Sequence, residues 1–494
     1  MKSLLLITVD CLRADHVGFQ GYDRGTTPFL DSLAPTSFVL PRAIVAGAPT
    51  YFSFPAIMAS RYPLGLGREV LGIAPQEPTL ATSLQTSGYA TAAFVAGNPY
   101  LCSRFGYHQG FTTFRDYLNT PLPNNTEPSE RGHFTRMNQA LQRALRNHRS
   151  ASAAYDELYF RYCQWRVSRG AMSMDRLRRY PAADVVVDRA RSWLSGLRGE
   201  PFFLWLHLMD PHHPYFPPEQ ALSEFGREDI GASRAAFLNA LWSREEPSRK
   251  RLLAHRKEII SLYDAGIYWA DKQIARLVTA LKHLRRWDET VLAVIADHGE
   301  ELLESDARYH SPTNLSERLI HVPLLIRVPH TSAVRQPDAP FSLIHLAPTL
   351  LDMLKVQAPA SFRGRSCWTQ IQHGQFAGSP AIVECVYGCE NAFPPANRLG
   401  PRLMAVRDSR YKLVINFGEH KERVFDLAND PEESMPLEEN ASKPERARLL
   451  RVVLQHLSSA NCDPELRLGA RMRDIEQLAV GINHAGEVAV PTAL

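Results

Sequence analysis

The stretch AVIADHGEELLES, Ala293 to Ser305, decides the reading of this chain. It continues an apolar, β-branched run, Val291 to Ile295, of the length of a strand buried on both faces, and Asp297, His298 and Gly299 follow at its end. In open α/β sheets ligands bind beyond the carboxyl ends of the strands, so a carboxylate and an imidazole placed there point to a site. A second strand end matches the first: SLLLITVDC, Ser3 to Cys11, is another apolar run, closing on Asp10. Two strand-end carboxylates and an imidazole suit a divalent cation (Mn²⁺, Zn²⁺, Mg²⁺ or Ca²⁺), with His298 tilting the choice toward the transition metals. A DHG triplet alone is more often a turn or a helix cap; the pairing with Asp10 raises it above that.

Composition bounds the rest. At 494 residues, with 45% hydrophobic and 22% charged residues, the chain can bury a large core, and nothing in it approaches the roughly eighteen apolar residues of a membrane span. A net charge of +4 is too mild to call for a nucleic-acid partner. The Arg-rich stretch Arg131 to Arg179 reads as a solvated helical face in preference to an anion-binding surface. The first strand starts at residue 3, leaving no room ahead of it for a secretory leader, so a cytoplasmic location is expected. Seven scattered cysteines fit reduced thiols, and Cys385 with Cys389 lacks the partners of a zinc site. Oligomeric state is left open.

Along the chain, TTPFLDSLA predicts a helix with Thr27 as cap and Pro28 at its first position. SFVLPRAIV is strand-like, and the segment from Phe54 to Ser60 is helical, which sets Thr50 at or just before a helix N-terminus. Further αβ units follow. They are interrupted by a basic, helical insertion over 119–180, and one of them ends in Asp210, His212 and His213. Beyond Gly374 short strands (Ala381 to Glu384, Leu403 to Arg407, Tyr411 to Asn416, Arg423 to Asp426) predict a small antiparallel sheet, then a charged helix over 443–479. The expected architecture is a sandwich with a mostly parallel central sheet flanked by helices over 1–374, and a C-terminal α+β subdomain over 375–494.

With these residues in hand the chain resembles the sulfatase family of the alkaline phosphatase superfamily. The resemblance is carried by TVDCLRADHVGFQGY, ASRYP, DPHHPY, ADHGEELLE, HLAPTLLDML, RYKLV and FDLANDPEE, in that order along nearly the whole length. It implies an alkaline-phosphatase-like fold, a divalent cation held by Asp10, Asp297, His298 and Thr50, and room for a second cation in two-metal relatives. His212 and His310 match family positions that contact substrate or bind that second metal, and are assigned as catalytic. Asn98, His213 and Arg13 are assigned to substrate.

The departures steer the chemistry. The family's sulfatases carry C-x-P-S-R or S-x-P-S-R, whose Cys or Ser becomes formylglycine; here Thr50, Tyr51, Phe52, Ser53 and Phe54 stand on that motif. The lysine and histidine that grip sulfate are missing from VAGNPYL, Val95 to Leu101, and Cys11 replaces an expected carboxylate. Threonine at this position resembles the superfamily's phosphodiesterases, phosphonate hydrolases and phosphoethanolamine transferases. A divalent cation lowers the pKa of an oxygen it holds, which would make a threonine hydroxyl nucleophilic. The resemblance therefore implies a metal-dependent hydrolase or transferase of small anionic phosphate or phosphonate esters acting through Thr50. Ser53 is the rival nucleophile. A literal sulfatase and a non-catalytic anion binder, for which Cys11 is the main hint, are the competing readings.

Overall fold

In the computed structural model, residues 2–118 and 173–459 are described, apart from residues 69, 228, 245–247 and 306. Most of the insertion over 119–180 and the end of the helix expected over 443–479 lie outside the described residues.

The apolar runs form a seven-stranded sheet in the spatial order Phe38–Val39, Leu324–Arg327, Thr290–Ala296, Ser3–Val9, Phe202–Leu208, Ala90–Val95, Thr113–Arg115. The last five run parallel, and Leu324–Arg327 pairs antiparallel to both of its neighbours. Every residue of Ser3–Val9, Phe202–Leu208 and Thr290–Ala296 is buried, as continuous apolar strands between two helical layers must be. The register aligns Val9 with Ala296 on one side and with Leu208 on the other. Asp10, Asp297 and Met209 therefore leave the sheet at one level, and the loops that follow share one crevice.

Local readings shift at two places. SFVLPRAIV divides at Pro41: Phe38–Val39 edges the main sheet, whereas Arg42–Ile44 joins a three-stranded sheet with His321–Val322 and Pro340–Ser342. Thr27 makes no capping bond to the helix Pro28–Leu33. Instead the carboxylate of Asp271, on the 35-residue helix Arg249–His283, accepts from Phe29 N and Leu30 N at 2.8 and 2.9 Å, a tertiary cap that local sequence does not announce.

The C-terminal strands Ala381–Val386, Arg402–Arg407, Tyr411–Asn416 and Lys421–Asp426 form a four-stranded antiparallel meander covered by the helix Glu439–Ser459. Buried charges tie it to the first part of the chain. Lys412 lies 3.5 Å from Glu317 and 2.6 Å from Glu433, Arg407 lies 3.3 Å from Glu317, and Glu384 accepts from Leu64 N at 3.1 Å. Among the described residues no helix is long and apolar enough to cross a membrane.

Candidate active site

Thr50 is the first residue of the helix Thr50–Ala59, four residues earlier than the sequence pattern suggests, and all ten of its residues are buried. Its Oγ1 is 3.1 Å from His298 Nε2 and 3.5 Å from Asp10 Oδ2. His298 Nε2 in turn stands 3.6 Å from an oxygen of Asp10 and 3.6 Å from one of Asp297. Its Nδ1 is 2.8 Å from the carbonyl of Gly299, a contact that needs Nδ1–H and so leaves the Nε2 lone pair directed at Thr50 and the two carboxylates. Oxygens of Thr50, Asp10 and Asp297 thus all lie within 3.6 Å of His298 Nε2, in the buried interior.

The carboxylate of Asp297 supplies the test of fit. It is fully buried, and neither oxygen has a hydrogen-bond partner among the described residues. Burial, then the nearby Asp10, pushes its pKa up. An orphaned buried carboxylate is costly, and a divalent cation is the partner its surroundings lack. Asp10, Asp297, His298 Nε2 and Thr50 Oγ1 are a fitting donor set for such an ion.

Asp10 is held firmly. Burial alone would raise its pKa; the imidazoles of His212, His207 and His298 outweigh burial and hold it well below the usual range. Its Oδ2 accepts from Asn98 Nδ2 at 3.0 Å and lies 3.1 Å from His207 Nε2, while Cys11 Sγ donates to Oδ1 at 3.1 Å. Asn98, assigned to substrate from the sequence, therefore positions Asp10 with at least one of its amide protons.

Sequence reasoning missed His207. It is fully buried, and Thr8 Oγ1, 2.8 Å from its Nδ1, also accepts from Trp205 Nε1 at 3.0 Å. The signal was present: Thr8 and His207 are polar residues inside strands buried on both faces, where each needs a partner, and they prove to be neighbours in register. Glu300 was also missed. Its buried carboxylate accepts from Tyr215 at 2.6 Å and lies 2.7 Å from His310 Nδ1; burial raises its pKa, but His310 lowers it further, to about 2.

His310 and His212 stand together, ring centroids 5.1 Å apart, and His310 is 4.7 Å from His298. The other two residues assigned to substrate are placed differently. Arg13 is buried with its guanidinium committed to Asp15, Glu304 and the carbonyl of Glu300, at 2.6 to 3.1 Å, so it does not face the reaction centre. His213 packs against Tyr309 and Tyr215, with Nε2 3.3 Å from Ser243 Oγ, and burial lowers its pKa to about 3, leaving it neutral. Ser53 is wholly buried, and its Oγ has no partner among the described residues.

The sulfatase family model matches residues 2–356, most of the chain. The chain belongs to the sulfatase family, within the alkaline phosphatase superfamily. A second model, N-sulphoglucosamine sulphohydrolase, C-terminal, matches residues 307–460. Arylsulfatase K of Mus musculus is 27% identical over 185 residues, covering 36% of this sulfatase-family chain and 32% of that protein. The multifunctional alkaline phosphatase superfamily protein PehA of Trinickia caryophylli is 24% identical over 294 residues, 53% of this chain and 56% of PehA. The chain thus spans only part of the length of these relatives. Its fold is that of the phosphonate monoester hydrolase of Agrobacterium radiobacter, at a TM-score of 0.64 and 19% identity over 93% of this chain and 95% of the other. This sulfatase-family chain consequently has structural neighbours among both phosphonate monoester hydrolases and sulfatases.

Proposed function

We propose that this sulfatase-family hydrolase cleaves phosphate or phosphonate esters, or transfers their phosphoryl group, with Thr50 as covalent nucleophile. One observation carries the reading: a threonine, not a cysteine or serine, opens the helix at the nucleophile position, with its hydroxyl 3.1 Å from His298 Nε2. A threonine is not the residue the family's formylglycine motif converts, so the hydroxyl itself is the group available for attack.

Asp10, Asp297, His298 and Thr50 would hold the divalent cation, which when bound supplies positive charge to the hydroxyl and to the ester oxygens. The chain's own part is orientation. Asn98 and His207 fix Asp10, and Gly299 fixes the His298 tautomer. Thr50 Oγ1 forms the bond to phosphorus as the bond to the leaving oxygen breaks. The hydroxyl proton passes to solvent, since both ring nitrogens of His298 would be engaged by the cation and by Gly299, and His212 and His310 face the departing group. Water, or an acceptor alcohol in a transferase, then breaks the Oγ1–P bond and restores the hydroxyl.

The arylsulfatase K likeness favours a second reading, sulfate-ester hydrolysis. Turnover of nitrophenyl phosphate monoesters and diesters, phosphonate esters and sulfate, with each metal added to metal-free enzyme, separates the two. Turnover confined to sulfate would overturn the phosphoryl reading. A phosphorylated peptide trapped from a slow substrate should carry the group on Thr50, and phosphate on Ser53 would remove the covalent threonine.

A further inference from the structure

Glu300 is fully buried, two residues beyond His298, and carries no step of the ester cleavage. Its two oxygens are committed in different directions. Oε1 accepts from the hydroxyl of Tyr215 at 2.6 Å, and Oε2 lies 2.7 Å from Nδ1 of His310, one of the two imidazoles at the departing group. Tyr215 is fixed in turn. Its backbone N–H donates to Asn239 Oδ1 at 2.7 Å and its carbonyl accepts from Asn239 Nδ2 at 2.9 Å, on the helix Ala232–Trp242. We propose that Glu300, braced by Tyr215, is the positioning residue of His310, holding a proton on Nδ1 and so turning Nε2 toward the leaving oxygen. This role rests on the ester-cleavage reading; the Glu300–His310 bond itself does not.

The hydrogen bonds fix which atom carries the proton. Tyr215 has one proton to give, and in giving it to Oε1 it marks Glu300 as an acceptor. The 2.7 Å contact at Oε2 then needs the proton on His310 Nδ1, and Cys11 Sγ, 3.5 Å from the same nitrogen, is the weaker partner. The bond made by one ring nitrogen sets the tautomer and the direction of the other. Exposure gives that direction. The His310 side chain is 23% exposed while Glu300 is wholly buried, so the opposite edge of the ring, which carries Nε2, opens on the crevice beside His212 and His298.

A buried carboxylate behind an imidazole steadies the ring through a proton transfer without being protonated itself. With His310 as the imidazolium, the step balances. As the P–O bond breaks, its electron pair passes to the leaving oxygen, which takes the proton from Nε2. The ring is left neutral, its remaining proton still on Nδ1 toward Glu300. The benefit is confined to esters whose leaving oxygen needs a proton: a nitrophenolate departs without one, whereas an alkoxide requires it.

Two esters of one acid, nitrophenyl and methyl phenylphosphonate, test the role in Glu300→Ala, Glu300→Gln, His310→Ala and the Glu300→Ala/His310→Ala double variant, with circular dichroism confirming each fold. Proton donation is worth about 10²–10⁴-fold, so Glu300→Ala should lower kcat on the methyl ester toward that range and on the nitrophenyl ester by less than about tenfold, with KM unchanged. Glu300→Gln, which keeps an acceptor for Nδ1–H, should recover part of the loss. The double variant should be no slower than His310→Ala, because residues acting as a unit do not add. Equal losses on both esters, losses that multiply in the double variant, or a wild type that cleaves only the nitrophenyl ester would overturn the proposal. A second readout needs no ester. In ¹⁵N-histidine spectra of the Mg²⁺-loaded full chain, His310, identified by its absence in His310→Ala, should carry a proton on Nδ1, and Glu300→Ala should release that proton from its fixed place. If neither ester is turned over, the ester-cleavage reading falls while the spectrum still decides Glu300: an Nδ1 without a proton, or one unchanged in Glu300→Ala, overturns the assignment.

Discussion

Thr50 Oγ1 and His298 Nε2, 248 positions apart in sequence, face each other across 3.1 Å at the start of a helix and the end of a strand. The contact exists because Thr290–Ala296 and Ser3–Val9 are parallel neighbours in register, so that Asp10 and Asp297 leave the sheet side by side below the helix that Thr50 opens. From it follows the sharpest expectation. Thr50→Ala should lower kcat on the order of 10³- to 10⁶-fold while leaving metal content unchanged, since Asp10, Asp297 and His298 remain. Thr50→Ser should retain part of the activity. Thr50→Cys should not make a sulfatase, because Phe52 and Phe54 stand where the modification motif has Pro and Arg. Full activity in Thr50→Ala would end the covalent mechanism.

His207 holds Asp10 from behind through Nε2 and is itself held by Thr8. His207→Phe removes this support and leaves Asp10 Oδ2 with fewer partners. Loss of such an orienting group typically weakens metal affinity about 10–100-fold. Calorimetric titration of metal-free protein with Mn²⁺ should show that weakening, with His207→Gln recovering part of it. Equal Mn²⁺ affinity in wild type and His207→Phe would show that His207 only fills space.

Glu384 is buried, and burial would raise its pKa; Arg402 at 2.6 Å, then His456, lower it instead to about 2. The folded pKa lies below the unfolded one, so the carboxylate stabilises fully above about pH 4.5 and loses this as pH falls through about 2, a contribution of about 3 kcal/mol. In acid titrations followed by denaturant, Glu384→Gln should be less stable at neutral pH and should show a flatter decline between those limits. Parallel declines in the two proteins would contradict the assignment.

Lys412 is fully buried between Glu317 and Glu433 and links the C-terminal sheet to the segment after the DHG strand. Removing one partner of a buried ion pair strands the others, typically at about 3–5 kcal/mol. Lys412→Ala should therefore lower the denaturation midpoint well beyond what lost side-chain volume explains, and adding Glu433→Gln should restore part of it. We also expect limited proteolysis to release no stably folded fragment starting near residue 375, because these charges cross that boundary.

Sequence by itself determined the strands and what terminates them. The runs Ser3–Val9, Phe202–Leu208 and Thr290–Ala296 are too continuously apolar for half-exposed strands, and strand ends in an open parallel sheet are where ligands bind, so Asp10, Asp297, His298 and the region of His212 were legible. The four C-terminal strands were legible for the same kind of reason, short runs punctuated by turns. The tertiary structure alone decided which polar groups face one another. Local pattern states that His207 is polar within an apolar strand, but only the pairing of Thr8 with His207 and the level of Asp10 give it a partner. Arg13 sits one turn from Asp10 in sequence and looked available to substrate, yet Asp15 and Glu304 take its guanidinium, because a buried cation must be paired by whatever carboxylates the packing brings near. The approach of Cys11 to His212 and His310 is likewise a product of three loops from three strands. No spacing along the chain encodes it, since it depends on strand order and register, which long-range packing fixes.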